Sequence, residues 1–146
     1  MKKKLLCIAL AFVFTVGLGL TAQAEDLALP APSCILMEKD TGQILYEENA
    51  HEKLRPASVT KIMTLLLVME ALDNGSIGWD DTVTTSAAAA AKGGSQLYLE
   101  DTEQLPLREM LKSGIVSSAN DCACALAEHV AGSEAAFVSR MNDRAA

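Results

Sequence analysis

Ser58 and Lys61 stand three residues apart in "RPASVTKIMT", residues 55 to 64, at the head of the most apolar stretch outside the N-terminal leader, "IMTLLLVMEAL". Side chains at i and i+3 of a helix share a face, so the amine can lie beside the hydroxyl. A lysine carried on a buried helix is desolvated, which favours its neutral form and makes it usable as a base. A serine next to such a base, at a helix start, has the parts of an activated nucleophile. The plainer alternative makes Ser58 an N-cap and Lys61 incidental. That alternative fits the local rules poorly: a capping serine prefers Glu or Gln three residues on, and a cation near a helix start opposes the dipole. Local rules broken without visible gain point to functional sites. A second candidate is Ser118-Ala119-Asn120, which could project polar groups into a cleft or cap the following helix.

The elements that position these residues follow from punctuation and period. "CILMEK" and "QILYEE", separated by "DTG", read as a β-hairpin turning at Asp40 to Gly42. After Pro56, apolar residues from Val59 to Leu72 cover nearly every face until "DNG" stops them, which predicts a central buried helix. In "KGGSQLYLE" the paired glycines predict a turn or a close backbone approach. Pro106 opens a helix of about two turns with Leu107, Met110 and Leu111 on one side. "SSAND" interrupts, and "CACALAEHVAG" is a further helix ending at Gly132, with Asn120 or Asp121 as its cap. Another helix begins near Ser133. The pattern is α+β with helices dominating.

Residues 1 to 24 have the layout of a secretory signal peptide: Lys2 to Lys4, an apolar run from Leu5 to Leu20, and "AQA" ending at Ala24. The apolar run is shorter than the ~20 residues a spanning helix needs. Export to the outer face of the cytoplasmic membrane, the periplasm or the medium is therefore expected, with residues 25–146 forming one small domain or part of one. Without the leader, nine basic residues face nineteen acidic ones, a formal charge of −10. Nucleic acid is an improbable partner at that charge. Cys34, Cys122 and Cys124 are odd in number and read as small buried apolar residues, and Cys122 and Cys124 point in different directions on a helix. With only His51 and His129 elsewhere, no metal or cofactor is implied.

Several stretches in order, "ILMEKDTGQILYEENA", "RPASVTKIMT", "GGSQLYLE" and "MLKSGIVSSANDCACALAEHVAGSEAAFVSRMN", resemble the serine D-alanyl-D-alanine carboxypeptidases, the low-molecular-weight penicillin-binding proteins. The resemblance implies a β-lactamase/transpeptidase-like fold, present here as the N-terminal portion of the catalytic domain in residues 25–146. It implies Ser58 as acylated nucleophile, Lys61 as its base, Ser118 as proton relay and Asn120 as a hydrogen-bonding group for the peptide. It also implies peptidoglycan stem peptides ending in D-Ala-D-Ala as substrate, β-lactams as covalent inhibitors, and membrane association through a C-terminal segment not in this sequence. The family carries a third motif, Lys-Thr/Ser-Gly, on a core strand downstream. Lys112-Ser113-Gly114 has the letters but precedes Ser118 by four residues and reads as coincidence. Without that motif, the 146 residues alone are expected to be inactive and poorly stable. Alternatives that share the first two motifs are a β-lactamase, a penicillin-binding sensor that stays acylated, and a truncated product.

Overall fold

The computed structural model describes residue 27 and residues 29–146; the leader assigned to residues 1–24 lies outside the described residues. Two compact units divide the chain, residues 1–53 and 54–146. Among the described residues, no helix is long and apolar enough to cross a membrane.

The first unit holds the hairpin. β1 (Cys34–Met37) and β2 (Ile44–Glu48) pair antiparallel, Cys34 opposite Glu48 and Leu36 opposite Tyr46, with a register slip between Leu36 and Met37. Glu38 builds the turn. Its carboxylate accepts from the amides of Asp40 and Thr41 and from the Thr41 hydroxyl, the last at 2.6 Å, and Gly42 takes the left-handed conformation (φ 71°) that closes the reversal. The Thr41 hydroxyl first, then the turn amides, hold the Glu38 carboxyl below its ordinary pKa. The turn forms where the sequence places it. Cys34 is half-buried and not enclosed as expected, since a two-stranded ribbon covers little of its own surface.

The second unit is helical. A 3₁₀ turn at Ala57–Thr60 leads into α1 (Lys61–Asp73), followed by β3 (Thr82–Thr84), the single-turn α2 (Ala87–Ala90), β4 (Gln104–Pro106), α3 (Leu107–Val116), α4 (Asn120–Ala131) and α5 (Glu134–Ala145). β3 and β4 form a small antiparallel ladder, Val83 opposite Leu105, that the sequence reading did not anticipate. Three-residue strands carry too few residues for a period to show. Other boundaries are where the punctuation puts them. Gly75 (φ 74°) ends α1 as the amides of Ser76 and Gly75 turn back to Ala71 and Leu72 carbonyls, the paired bonds of a Schellman motif. Gly132 ends α4 at φ 80°, and the Ser133 hydroxyl caps α5 by accepting from the Ala136 amide at 3.1 Å. α3 runs ten residues, more than the two turns expected, and buries Leu107, Met110, Leu111 and Gly114 as a stripe.

The expected central helix is corrected. α1 buries only Thr64, Val68 and Ala71, one narrow stripe, while Ile62, Leu66 and Met69 on another face, and Val59 in the preceding turn, are between 38% and 67% exposed. The enclosed helix is α4, which packs on α1, α2, α3, α5 and β3 and buries Asp121, Cys122, Cys124, Ala125, Leu126 and Ala127. Cys122 and Cys124 are buried free thiols as expected. Burial pushes their pKa values up to about 12 and about 11.

Candidate active site

The N-terminal ends of α1 and α4 meet. Ser58 sits in the 3₁₀ turn, and its hydroxyl makes no cap bond to that turn or to α1, whose N-cap position is Thr60. Instead, the Lys61 Nζ donates to Ser58 Oγ at 3.4 Å. A capping role for Ser58 is thereby set aside. The same Nζ donates to Ser118 Oγ at 3.4 Å and to Asn120 Oδ1 at 2.6 Å. One amine therefore collects all three polar groups singled out in the sequence, across 57 and 59 residues of chain. The 3.4 Å contacts are long for hydrogen bonds, as catalytic contacts commonly are before a substrate tightens them. Lys61 is half-buried and not enclosed, because α1 itself is covered on one face only.

Local backbone conformation aims the two serines. Ala57, immediately before Ser58, has φ 49°, and Ser118 itself has φ 52°. Left-handed conformations of non-glycine residues cost free energy and concentrate where surroundings impose a special geometry. Ser118 lies between the C-cap of α3 at Ser117 and the N-cap of α4 at Ala119, so two helix ends fix its position. The serine hydroxyl is thus turned toward Lys61 by its backbone. Ser58 is exposed, with Ser118 and Asn120 half-buried. An open cleft of about 630 Å³ begins at Ser58 and Lys61 and continues past Thr64, Asn120 and Ala123 to Phe137 and Met141 of α5.

Asn120 is not a cap. α4 has Ala119 at the N-cap position with no side-chain cap bond, and the Asn120 amide is spent elsewhere: Nδ2 donates to the Gly93 carbonyl at 2.6 Å while Oδ1 faces Lys61. The close backbone approach expected at the paired glycines is present. Gly94 has φ 82°, and a Cβ there would come within 2.8 Å of Asn120 Nδ2. Asp121, the other expected cap, also has a different task. Its carboxylate takes the amides of Leu97 and Leu99, two residues of the segment that follows the glycines. An acid in the first turn, followed by a run of Cys, Ala and Leu from Cys122 to Ala127, was the available signal, and capping absorbed it. Lys92, unremarked in the sequence except as part of "KGG", lines the cleft and pairs with Glu134 at 2.7 Å; that hydrogen bond raises the lysine pKa. Lys112-Ser113-Gly114 lies inside α3 and not on a strand, with Gly114 against Cys122, which removes it from the site as expected.

Known proteins share this arrangement of chain. A family model described as D-alanyl-D-alanine carboxypeptidase, of the S11 peptidases, matches residues 20–146. The D-alanyl-D-alanine carboxypeptidase DacF of Bacillus subtilis (strain 168) is 50% identical over 123 residues, covering 84% of this chain and 32% of its own length. DacD of Escherichia coli (strain K12) is 36% identical over 156 residues, 99% of this chain and 40% of its own. The crystal structure of DacD from Francisella tularensis superposes with a TM-score of 0.77 at 34% identity, covering 89% of this chain and 32% of that one. Penicillin-binding protein D2 of Listeria monocytogenes, in its ampicillin-bound form, has a TM-score of 0.70 at 30% identity, covering 82% of this chain and 47% of that one. The chain thus spans about a third to two fifths of the curated relatives it matches. It has the penicillin-binding, transpeptidase/β-lactamase type of α+β fold in part, and it belongs to the S11 D-alanyl-D-alanine carboxypeptidase family.

Proposed function

We propose that this chain carries the acylating machinery of a serine D-Ala-D-Ala carboxypeptidase that trims peptidoglycan stem peptides outside the cytoplasmic membrane, with the leader in residues 1–24 directing export. The observation that carries the reading is the single amine of Lys61 held between Ser58 Oγ, Ser118 Oγ and Asn120 Oδ1. Neutral Lys61 takes the Ser58 proton, and Oγ attacks the carbonyl carbon of the penultimate D-alanine. The tetrahedral oxyanion is met by the Ser58 amide, one of the first-turn N–H groups that no helical carbonyl can satisfy. As the C–N bond breaks, the proton held by Lys61 passes through Ser118 to the departing D-alanine nitrogen. Water, deprotonated by the same amine, then releases the shortened peptide and restores Ser58. Dividing amide hydrolysis into two steps lowers each barrier. The second N–H of Asn120 Nδ2, beyond the one given to Gly93, hydrogen-bonds the peptide backbone, and β-lactams acylate Ser58 as strained mimics of the scissile amide. The likeness to a relative solved with ampicillin supports that last point.

The test is labelling of a full-length form by a fluorescent penicillin, with the modified peptide located by mass spectrometry. Label on Ser58, lost in Lys61→Ala, is the expected result. Unchanged labelling in Lys61→Ala overturns the assignment. The fate of the acyl group separates neighbouring chemistries: slow release together with cleavage of a D-Ala-D-Ala peptide marks a carboxypeptidase, rapid penicillin turnover a β-lactamase, and no release a sensor.

A further inference from the structure

Asp121 is 1% exposed, and its carboxylate accepts from the amides of Leu97 at 3.1 and 3.0 Å, Leu99 at 3.1 Å and Cys122 at 2.9 Å. Burial works to raise its pKa, but these amide donors together outweigh burial and hold the carboxyl below its ordinary range. Leu97 and Leu99 flank Tyr98, whose φ is 61° and which is 80% exposed. A bulky residue in the left-handed region persists only where its surroundings dictate it, and here one carboxylate grips the chain on both sides. A few residues upstream, the same segment is held to the neighbouring residue: the Ser95 carbonyl accepts from the Asn120 amide at 2.7 Å and the Gly93 carbonyl from Asn120 Nδ2 at 2.6 Å. The segment 93–99 is therefore fixed along its length by two consecutive residues, Asn120 and Asp121.

A carboxamide has a donor end and an acceptor end of nearly the same shape, so its partner decides which end faces which way. The Gly93 carbonyl takes the donor end of Asn120 and leaves Oδ1 for Lys61 at 2.6 Å. We propose that Asp121 is a positioning residue for the active site: by clamping segment 93–99 onto the first turn of α4, it keeps the Gly93 carbonyl on Asn120 Nδ2, so that Asn120 Oδ1 faces Lys61. The catalytic consequence rests on the carboxypeptidase reading above, whereas the positioning itself is a statement about this chain's own contacts. Asp121→Asn removes the charge and replaces one acceptor oxygen by a donor that faces other donors. Either the Cys122 or the Leu99 amide then loses its partner, and the Leu97 amide is left with one acceptor in place of two.

The experiment uses a full-length form of the protein with Asp121→Asn, with Gly94→Ala as a second variant that disturbs the same contact from the other side, and with Met110→Ala on α3 as a core change outside the clamped segment. Two readouts are taken: the Asn120 side-chain amide signals and Leu97 and Leu99 amide exchange by NMR, and the limiting rate of Ser58 acylation by a fluorescent penicillin per folded molecule. Asp121→Asn should move the Asn120 signals, speed both exchanges, and slow the limiting rate about tenfold to a hundredfold, as small misplacements of reacting groups do. Gly94→Ala should move the same signals, and the double variant should lose less than the two losses combined. Met110→Ala should lower the melting temperature while leaving the Asn120 signals and limiting rate in place. Unmoved Asn120 signals in both Asp121→Asn and Gly94→Ala overturn the positioning role. Failure of the unaltered protein to be acylated overturns the carboxypeptidase reading instead, and the NMR result still decides the positioning.

Discussion

α1 and α4 bring their N-terminal ends to one cleft, yet they are covered in opposite ways. α1 carries Leu65, Leu66, Leu72, Ile62, Val68, Met63 and Met69, and buries only a stripe of Thr64, Val68 and Ala71. α4, reading "NDCACALAEHVA", is poorer in large apolar side chains but is enclosed over half its length. Small side chains let neighbouring elements approach closely on several sides, so Ala and Cys mark the helix at the centre more faithfully than a run of Leu does. Total hydrophobicity says that a face can be covered; residue size says how near the cover can come.

The largest expected effect tests the enclosed side of this comparison. Leu126 on α4 is 1% exposed in the main core. Leu126→Ala should cost about 2 to 5 kcal/mol in chemical denaturation, the range for a buried leucine that leaves a cavity. A loss below about 1 kcal/mol, the size typical of an ordinary substitution, would show that α4 is not packed as described.

A second effect comes from Asp121 at the head of the same helix. Its carboxyl is held below its ordinary pKa in the folded state, the amide donors outweighing burial. A depressed folded value means that the native state favours the ionised form, so its contribution is complete above the unfolded pKa and disappears as pH falls through the folded one. Wild type should therefore exceed Asp121→Asn in melting temperature at neutral pH, and the gap should narrow once pH drops below about 4. A gap that holds constant from pH 7 to pH 2.5 would mean that the amide bonds to Leu97 and Leu99 do not depend on charge.

These two helices also show where sequence reasoning succeeded and where it could not. Helix ends were legible because Gly75, Gly132 and Ser133 act within one turn of themselves, and a local cause leaves a local signature. Ser58, Lys61, Ser118 and Asn120 were legible as a set, since their order and spacing match a known family, and the structure brings their side chains together. The enclosure of α4 was not, because what covers it comes from α1, α2, α3, α5 and β3, scattered through the chain. Asp121 was misread for a similar reason. An acid in a first turn has a local explanation in capping, while its actual partners, Leu97 and Leu99, lie more than twenty residues away.

A smaller effect, of opposite sign, is expected where α3 crosses α4. Gly114 is buried in mid-helix without a left-handed φ, and a Cβ there would meet Cys122 Cβ at 3.7 Å and Leu126 Cδ1 at 4.0 Å, ordinary contact distances. Gly114→Ala should therefore stabilise by about 0.5 to 1 kcal/mol, because alanine loses less backbone entropy in a helix. Penicillin labelling should not change, since Lys112-Ser113-Gly114 has no part in the site. Destabilisation would mean that α3 and α4 sit closer than described, and lost labelling would return this tripeptide to the chemistry.

The smallest expected effect tests the other helix. Ile62 follows the catalytic lysine candidate directly, points away from the Thr64, Val68 and Ala71 stripe, and is 67% exposed. An exposed apolar side chain is ordinary on a folded surface and has little burial to lose. Ile62→Ser should change stability by no more than about 0.5 kcal/mol, the scale of surface substitutions, since the two residues have about equal helix propensity. Ile62 and Leu126 then form a matched pair: large branched aliphatic side chains on two helices of one site, separated in effect by several-fold. Denaturation of both variants under one condition measures the ratio directly. If Ile62→Ser costs 2 kcal/mol or more, the outer face of α1 is covered in solution, and the contrast between a half-bare and an enclosed helix no longer holds.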